Sequence, residues 1–210
     1  MIPATQENAA GPGHAIVPDQ RIVLGAAPAD NGGMSIRLRP LCEEDVDNIM
    51  TWVNEPAVVG NLAAFSGAPL SREEELAWVR RTMTSSSERV WSVFAEPDGR
   101  YLGQVGIHQI HQRSAVGRLG VVIAARAEMG RGHGSAAISR ALDSAFSELG
   151  LHKVWLMVFS ENLRSRGIYQ RLGFVEEGLL REEYFHDGRW HDELVMAQLE
   201  PEWSETFGKA

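Results

Sequence analysis

The chain has 210 residues, 44% hydrophobic and 23% charged, which is typical of a globular protein with a full-sized core and excludes a disordered, collagenous or coiled-coil chain. It carries 20 Lys and Arg against 28 Asp and Glu, and this net charge of -8 disfavours a general attraction to nucleic acid. The single cysteine, Cys42, excludes an internal disulfide and an all-cysteine zinc site, and we expect it to be a buried apolar residue.

The two ends of the chain differ from its centre. Residues 1–34 are rich in Ala, Gly, Pro and Asn, which predicts a flexible N-terminal extension or, through Arg21 to Leu24, an added edge strand. They lack the basic and apolar parts of a secretory signal, and no window reaches the ~18 apolar residues of a membrane span, so we expect a cytoplasmic protein. A single domain is predicted over residues 35–202, followed by a C-terminal tail over 203–210.

Hydrophobic periodicity predicts the elements of this domain in chain order. Strands are expected at 36–39, 90–95, 101–110, 118–123, 153–160, 174–178 and 190–199. Helices are expected from 43 to 53, from the capping box of Ser71 and Glu74 to residue 83, from residue 135 to about 149, and from 163 to 172. The apolar run Val121-Val122-Ile123 predicts a strand that is covered on both faces. This order predicts a mixed α/β fold with antiparallel strands and crossover helices.

A glycine-rich loop follows that apolar run and precedes a helix. Its residues are Met129, Gly130, Arg131, Gly132, His133, Gly134 and Ser135. Glycines let a ligand approach the backbone, and the free N–H groups of a helix N-terminus bind anions, so the loop suits a phosphate or a pyrophosphate. Arg131 would add charge and His133 a donor. The loop fits neither the nucleotide-hydrolase nor the dinucleotide pattern, and a purely structural turn is the alternative.

A second motif lies downstream, spaced N-x-x-S-x-x-x-Y-x-x-x-G-F. It comprises Asn162, Ser165, Tyr169 and Gly173-Phe174. Ser165 and Tyr169 are four residues apart and share one face of a helix, while Asn162 lies at the helix start, where its side chain caps the helix or reaches a ligand amide. The alternative is a capped helix with Tyr169 in the core.

Together the two motifs resemble the GNAT superfamily of acetyl-CoA-dependent N-acetyltransferases, over about residues 35–200. The resemblance implies a central mixed, mostly antiparallel sheet flanked by helices and splayed between its two central strands. In that family the loop reads R/Q-x-x-G-x-G/A. Met129 then occupies the Arg/Gln position, and Gly132 and Gly134 match the two small positions.

The resemblance also implies roles for individual residues. The main-chain amides from Arg131 to Ser135 would bind the pyrophosphate of coenzyme A, and its pantetheine arm would lie beside Val121-Val122-Ile123 and contact Asn162, with Ser165 nearby. One of the three strand residues would donate an N–H to the oxyanion. Tyr169 would lie near the thioester sulfur and, still protonated near pH 7, donate a proton to the leaving thiolate.

The base that deprotonates the acceptor amine is left open. Relatives often carry Glu on the strand that enters the cofactor site, whereas Arg118 falls there, and Arg cannot act as a base. The alternatives are His108, His111, Glu183 and His186. In a regular strand His108 and His111 face opposite sides, so at most one of them would enter a shared cleft. No metal is implied.

The C-terminal part, Glu177 to Glu182 and Asp187 to Glu193, is similar to ribosomal-protein alanine acetyltransferases and spermidine N-acetyltransferases. The acceptor would bind near residues 54–72 and 182–192, where acidic side chains suit a cation. These acids are Glu182, Glu183, Asp187, Asp192 and Glu193. A small-molecule primary amine such as a polyamine or amino sugar is the leading acceptor, and a protein N-terminus is the second.

A non-catalytic acyl-CoA-binding protein is the third hypothesis, which the departures at Met129 and Arg118 favour and Tyr169 opposes. The expected partners are the small-molecule amine or a peptide N-terminus, with a second copy of the chain as a candidate in a homodimer. Neither nucleic acid nor a membrane is expected as a partner.

Overall fold

The computed structural model of this chain describes residues 35–59, 69–128, 130–186 and 188–208, so the predicted extension 1–34, Met129 and Asp187 lie outside the described residues. At its centre is a seven-stranded sheet of order β1-β2-β3-β4-β5-β7-β6. The strands are β1 (Ile36–Pro40), β2 (Arg89–Ala95), β3 (Tyr101–His111), β4 (Val116–Ile123), β5 (Lys153–Phe159), β6 (Val175–His186) and β7 (Arg189–Leu199). Neighbours pair antiparallel except β4 and β5, which are parallel. The predicted mixed, mostly antiparallel sheet is confirmed.

Helices cover both faces of this sheet. They are α1 (Val46–Met50), α2 (Pro56–Val59), α3 (Arg72–Met83), α4 (His133–Asp143), α5 (Leu163–Arg171) and α6 (Glu200–Phe207). The predicted capping box is confirmed, because Ser71 N–H donates to Glu74 Oε2 at 2.8 Å and Glu74 N–H donates to Ser71 Oγ at 3.3 Å. None of the helices in the described part of the chain has the length and apolarity needed to cross a bilayer.

Two hydrophobic clusters lie on opposite faces of the sheet. The larger packs α4 and α5 against one face, and the smaller packs α1 and α3 against the other. Val121 and Ile123 contact the larger cluster and Val122 the smaller. The apolar run therefore faces a core on each side, as predicted, although its side chains are only half-buried.

The parallel pair β4 and β5 separates partway along its length. The two strands are in register only at Val116/Lys153, Gly117/Val154 and Arg118/Trp155, while β4 continues to residue 123 and β5 to residue 159. This is the predicted splay between the central strands. It opens a wedge-shaped gap in the sheet, called here the β4–β5 gap, with its closed end at Arg118 and Trp155.

A buried carboxylate fixes the first helical segment to the sheet. Asp45 is fully buried and accepts hydrogen bonds from Cys42 N–H at 3.1 Å and Ser92 Oγ at 2.8 Å, and it pairs with Arg39. Cys42 is half-buried, and its thiol contacts Arg39 and Asp45. The prediction of a buried apolar cysteine is therefore wrong, because the Cys42 thiol takes part in the polar contacts around Asp45.

The C-terminal segment differs from the predicted tail. Residues 200–207 form α6, in which Trp203 is 5% exposed, packs on Phe146 with ring centroids 6.2 Å apart, and donates from Nε1 to Asp143 Oδ1 at 3.1 Å. One large apolar side chain thus anchors a helix whose other residues are mostly polar. The strand predicted at 174–178 also extends to His186, because β6 is an exposed edge strand without strong apolar alternation.

Candidate functional site

The glycine loop leads directly into α4. Gly130 and Gly132 have φ values of 88° and 90°, a left-handed conformation that favours glycine. The first helical hydrogen bond runs from Ala136 N–H to Gly132 O at 3.0 Å, so the amides of His133, Gly134 and Ser135 belong to the first turn, whose N–H groups have no acceptor within the helix. This turn has the geometry of an anion site.

A buried glutamate holds the loop in place. Glu128 is 5% exposed and contacts Arg100 Nη1 at 2.9 Å, His133 Nε2 at 3.1 Å and Arg131 Nη1 at 3.4 Å. The hydrogen bond to His133 and the charges of the two arginines hold the pKa of Glu128 below its ordinary value. The His133 ring is 3% exposed and points into the protein. The prediction that its side chain donates to a ligand at this loop is therefore wrong, and only its main-chain N–H remains there.

The second motif forms the start and centre of α5. Asn162 is the N-cap, and its Oδ1 accepts the N–H of Ser165 at 3.1 Å. The capping role proposed as the alternative is thus present, and it leaves Nδ2 of Asn162 for a further partner. Asn162 and Ser165 are both half-buried.

Tyr169 is half-buried against the larger hydrophobic cluster, with its ring 5.8 Å from that of Phe174. Burial raises the pKa of Tyr169 to about 12. Its hydroxyl therefore keeps its proton at neutral pH. Among the described residues we find no hydrogen-bond partner for Oη.

Three segments meet at this place. A Cβ built on Gly130 would lie 3.6 Å from Nη2 of Arg164 in α5, and one built on Gly134 would lie 3.6 Å from Cγ1 of Ile123 at the end of β4. Tyr169 packs against the same cluster as Ile123. The loop, the end of β4 and the first turn of α5 thus form one site, and the two sequence motifs are brought together.

Arg164 is a residue of this site that sequence reasoning missed. It lies inside the second motif, between Asn162 and Ser165, and its side chain is exposed. The signal available was an arginine between Asn162 and Ser165, but the sequence does not reveal that the glycine loop lies opposite it.

The main chain of β4 faces the β4–β5 gap. Ala124 N–H donates to Leu102 O of β3 at 2.8 Å. Because successive N–H groups of a strand alternate between its two edges, those of Val121 and Ile123 point away from β3, towards the gap. The N–H of Val122 points to β3, which narrows the predicted donor set to two residues.

A cleft of about 350 Å³ lies where β4 ends, on the sheet face that carries α1. It is lined by Thr51, Trp52, Glu55, Ala57, Val58, Tyr101, Ala124 and Ala125. The predicted acceptor region 54–72 therefore contributes Glu55, Ala57 and Val58, while residues 60–68 lie outside the described part of the chain. Glu55 supplies an exposed carboxylate at this cleft.

The predicted acidic residues of 182–193 separate into different environments. Asp192 is a structural residue, since its Oδ1 accepts the N–H of Glu182 at 2.8 Å. Glu182 and Glu183 are exposed, whereas Glu193 is 4% exposed. Of these four acids, which are the ones in the described part of the chain, only Glu193 is enclosed by the protein.

Of the two candidate histidine bases on β3, His108 lies against β4, because a Cβ built on Gly120 would be 3.2 Å from its ring. His111 is exposed, and its Nδ1 accepts the N–H of Ser114 in a turn at 3.1 Å. His108 is half-buried with Nδ1 3.6 Å from Glu88, and burial lowers its pKa. Gln109, at φ 50°, interrupts the strand between the two histidines, so the expectation of strictly opposite faces does not apply.

Arg118 lies at the strand position where relatives often carry a glutamate. The Arg118 guanidinium lies over the Trp155 ring, 5.6 Å from its centroid, at the closed end of the gap. Among the described residues, no three His, Cys, Asp or Glu side chains are grouped to hold a metal ion.

Comparison with known proteins identifies similar sequences and structures. The family model described as "Acetyltransferase (GNAT) domain" matches residues 35–175. A spermidine N(1)-acetyltransferase of Vibrio cholerae is 43% identical over 79 residues, 38% of this chain and 46% of that protein. A putative ribosomal N-acetyltransferase, YdaF, of Bacillus subtilis is 33% identical over 106 residues, 50% of this chain and 57% of that protein. Both alignments thus span about half of the relative's length.

Among solved structures, the spermidine N-acetyltransferase of Vibrio cholerae in complex with CoA and spermine has a TM-score of 0.75 and 28% identity. That match covers 80% of this chain and 97% of the other.

Replacement of Glu128 tests whether its charge holds the loop. Because the folded-state pKa is depressed, the stabilisation is present above the unfolded pKa of ~4.3 and is lost as pH falls through the folded value. We expect Glu128→Gln to lower the Tm at pH 7. We expect the Tm difference from wild type to stay constant down to about pH 5 and to shrink at lower pH.

Thermal unfolding between pH 3.5 and pH 8 measures this difference. Glu205→Gln, at an exposed position of α6, is the matched control and should change the Tm little. A Glu128→Gln difference that does not vary over the whole pH range would contradict a charge-dependent role.

Proposed function

This chain is an N-acetyltransferase of the GNAT family, and we propose that it transfers the acetyl group of acetyl-CoA to a primary amine of a polyamine. The observation that carries this proposal is the junction of a helix N-terminus, a glycine loop and an open gap between two strands. Similarity to a spermidine N-acetyltransferase complex with CoA and spermine supports it.

The glycine loop fits the diphosphate of coenzyme A. First-turn amides of His133, Gly134 and Ser135 would donate to phosphate oxygens, and the helix dipole favours the negative charge. Nothing lies within 4 Å of a Cβ built on Gly132, so the space in front of the loop is open. The guanidinium of Arg164 lies beside Gly130 and would add charge, while that of Arg131 is partly engaged by Glu128.

The family pattern R/Q-x-x-G-x-G/A also fits this loop two residues later than first read. In that register the positions are Arg131, Gly134 and Ala136. We favour it because α4 starts at His133, so Gly134 and Ala136 lie in the first helical turns against the end of β4. The departure at Met129 then disappears, and with it one argument for a non-catalytic acyl-CoA-binding protein.

The β4–β5 gap suits an extended amide-containing arm. We place the pantetheine there, with the N–H groups of Val121 and Ile123 as donors and Nδ2 of Asn162 as a further donor. Ser165 would line the same arm from the first turn of α5. When bound, acetyl-CoA supplies an acetyl thioester, and a backbone N–H at the gap stabilises negative charge on a carbonyl oxygen.

Tyr169 is the proposed proton donor. With a pKa raised to about 12 by burial, its hydroxyl keeps a proton at neutral pH and can give it to a thiolate, whose conjugate acid has a pKa near 8.5. This role opposes the non-catalytic alternative.

The acceptor is proposed to be cationic. The cleft at the end of β4 includes Glu55 and the indole of Trp52, and both carboxylates and aromatic faces attract ammonium groups. The similarity to YdaF, a putative ribosomal N-acetyltransferase, favours a protein N-terminus as the second candidate acceptor.

Release of free thiol from acetyl-CoA distinguishes these acceptors. We expect turnover with spermidine, with a kcat/KM at least tenfold above that for an N-terminal alanine peptide. Binding of coenzyme A is measured in parallel by calorimetry. Binding without thiol release from any amine or peptide would favour the non-catalytic alternative, and a preference for the peptide would favour the ribosomal one.

Removal of the Tyr169 hydroxyl tests the acid. Tyr169→Phe keeps the ring packing and should lower kcat about 10²-fold or more, because general acid catalysis contributes typically 10²–10⁴-fold. The affinity for coenzyme A should stay within twofold of wild type. An unchanged kcat would show that another group protonates the thiolate.

A further inference from the structure

Glu193 is the enclosed carboxyl group among the acids predicted to face a cationic acceptor. It is 4% exposed, and its side chain makes no hydrogen bond or ion pair with another described residue. An enclosed carboxylate without such a partner is costly, and groups of this kind cluster at functional sites. Glu193 is therefore a candidate site for a ligand group from outside the described part of the chain.

The register of the sheet locates Glu193 at the open end of the β4–β5 gap. Glu193 of β7 pairs with Phe159, the last residue of β5, while Arg118 of β4 pairs with Trp155 at the closed end. Phe159 and Trp155 are four residues apart on one strand, so all four side chains share one face of the sheet. Glu193 and Arg118 thus lie on the same face, with Glu193 on β7 beside the open end of the gap and Arg118 on β4 at its closed end.

The charges around Glu193 come from three strands. Arg118 on β4 interacts favourably with it and Glu183 on β6 unfavourably, while His191 lies two residues away on β7. Burial is the largest influence and raises the pKa of Glu193, with Glu183 acting in the same direction and Arg118 against it. A carboxyl group whose pKa is raised accepts a proton from an amine more effectively than an ordinary glutamate.

An aromatic group borders this carboxyl. The Phe159 ring lies 5.5 Å from that of Tyr184 and 5.2 Å from that of His191. The Tyr184 hydroxyl is buried and makes no hydrogen bond within the described part of the chain. A carboxylate, an aromatic face and a free phenol oxygen together match an ammonium group, which donates three hydrogen bonds and binds to π-faces.

We propose that Glu193 is the carboxylate that receives the acceptor's ammonium group and takes its proton, an inference that rests on the proposed acetyl transfer to an amine. An N–H bond of the ammonium breaks and an O–H bond forms on a carboxylate oxygen of Glu193. The freed nitrogen lone pair then attacks the acetyl carbon, and the carbon–sulfur bond breaks as the thiolate leaves with the proton of Tyr169. The new amide nitrogen gives up its second proton, which restores the Tyr169 hydroxyl through solvent, and the proton on Glu193 leaves for solvent. Arg118, which occupies the strand position entering the cofactor site, stays cationic and has no part in the proton transfer.

Initial rates of thiol release with spermidine, from pH 6 to pH 10 at saturating acetyl-CoA, test this assignment. Glu193→Gln should lower kcat/KM about 10²-fold or more at pH 7, with a deficit that shrinks towards pH 10 as free amine becomes abundant. Its affinity for coenzyme A should not change. Glu205→Gln, at an exposed position of α6, is the control and should remain within threefold of wild type at every pH.

The outcomes separate this inference from the function on which it rests. If the wild type is active and the Glu193→Gln rate is within threefold of the wild-type rate at every pH, the role of Glu193 is overturned and acetyl transfer is left intact. Coenzyme A binding without thiol release by wild type overturns both. If Glu193→Gln does not fold, Glu193→Asp decides, because it keeps the carboxylate but retracts it: a tenfold loss at pH 7 with a wild-type Tm supports the role, and an unchanged rate contradicts it.

Discussion

The separation of β4 from β5 beyond Arg118 and Trp155 is the constraint on which the rest of the structure depends. Two parallel strands in the middle of a sheet normally remain paired, because their N–H and C=O groups are costly to leave without partners. Here both strands continue past their last paired residues. The main chain of Val121 and Ile123 consequently faces a gap. A ligand with amide groups can form there the hydrogen bonds that β5 does not make with β4.

The glycine loop and the two faces of the sheet complete the site around that gap. Glu128 holds Arg100, Arg131 and the His133 ring behind the glycine loop, so the first turn of α4 is supported from inside while its amides face outward. In the proposed function, the proton donor and the acceptor cleft lie on opposite faces of the sheet. Tyr169 lies on the face that carries α4 and α5, and the acceptor cleft lies on the face that carries α1.

Much of this fold was predictable from local sequence. Local hydrophobic patterns predicted a strand at each of the seven places, and Ser71 and Glu74 marked the start of α3, because these signals depend only on residues close in the chain. The end of β6 and helix α6 were not predicted. β6 is exposed along most of its length, and α6 depends on the tertiary contacts of Trp203 with Phe146 and Asp143. Neither leaves a periodic apolar pattern.

The site was predictable in its motifs but not in its contacts. The glycine loop and the Asn162 motif are local patterns, and the resemblance to a family joined them. That the His133 ring points inward, that Arg164 lies beside Gly130, and that Glu193 is enclosed are consequences of tertiary packing. The register of the loop was also ambiguous in the sequence, because glycines at 130, 132 and 134 allow two alignments, and the start of α4 at His133 favours one of them.

Amide NMR of the isotopically labelled protein, titrated with coenzyme A, tests the proposed cofactor seat most directly. If the diphosphate lies on the first turn of α4 and the pantetheine in the β4–β5 gap, the amide resonances of His133, Gly134, Ser135, Val121 and Ile123 will show the largest shifts. Their hydrogen exchange will also slow. Binding that leaves these five amides unperturbed while shifting resonances elsewhere would contradict that placement.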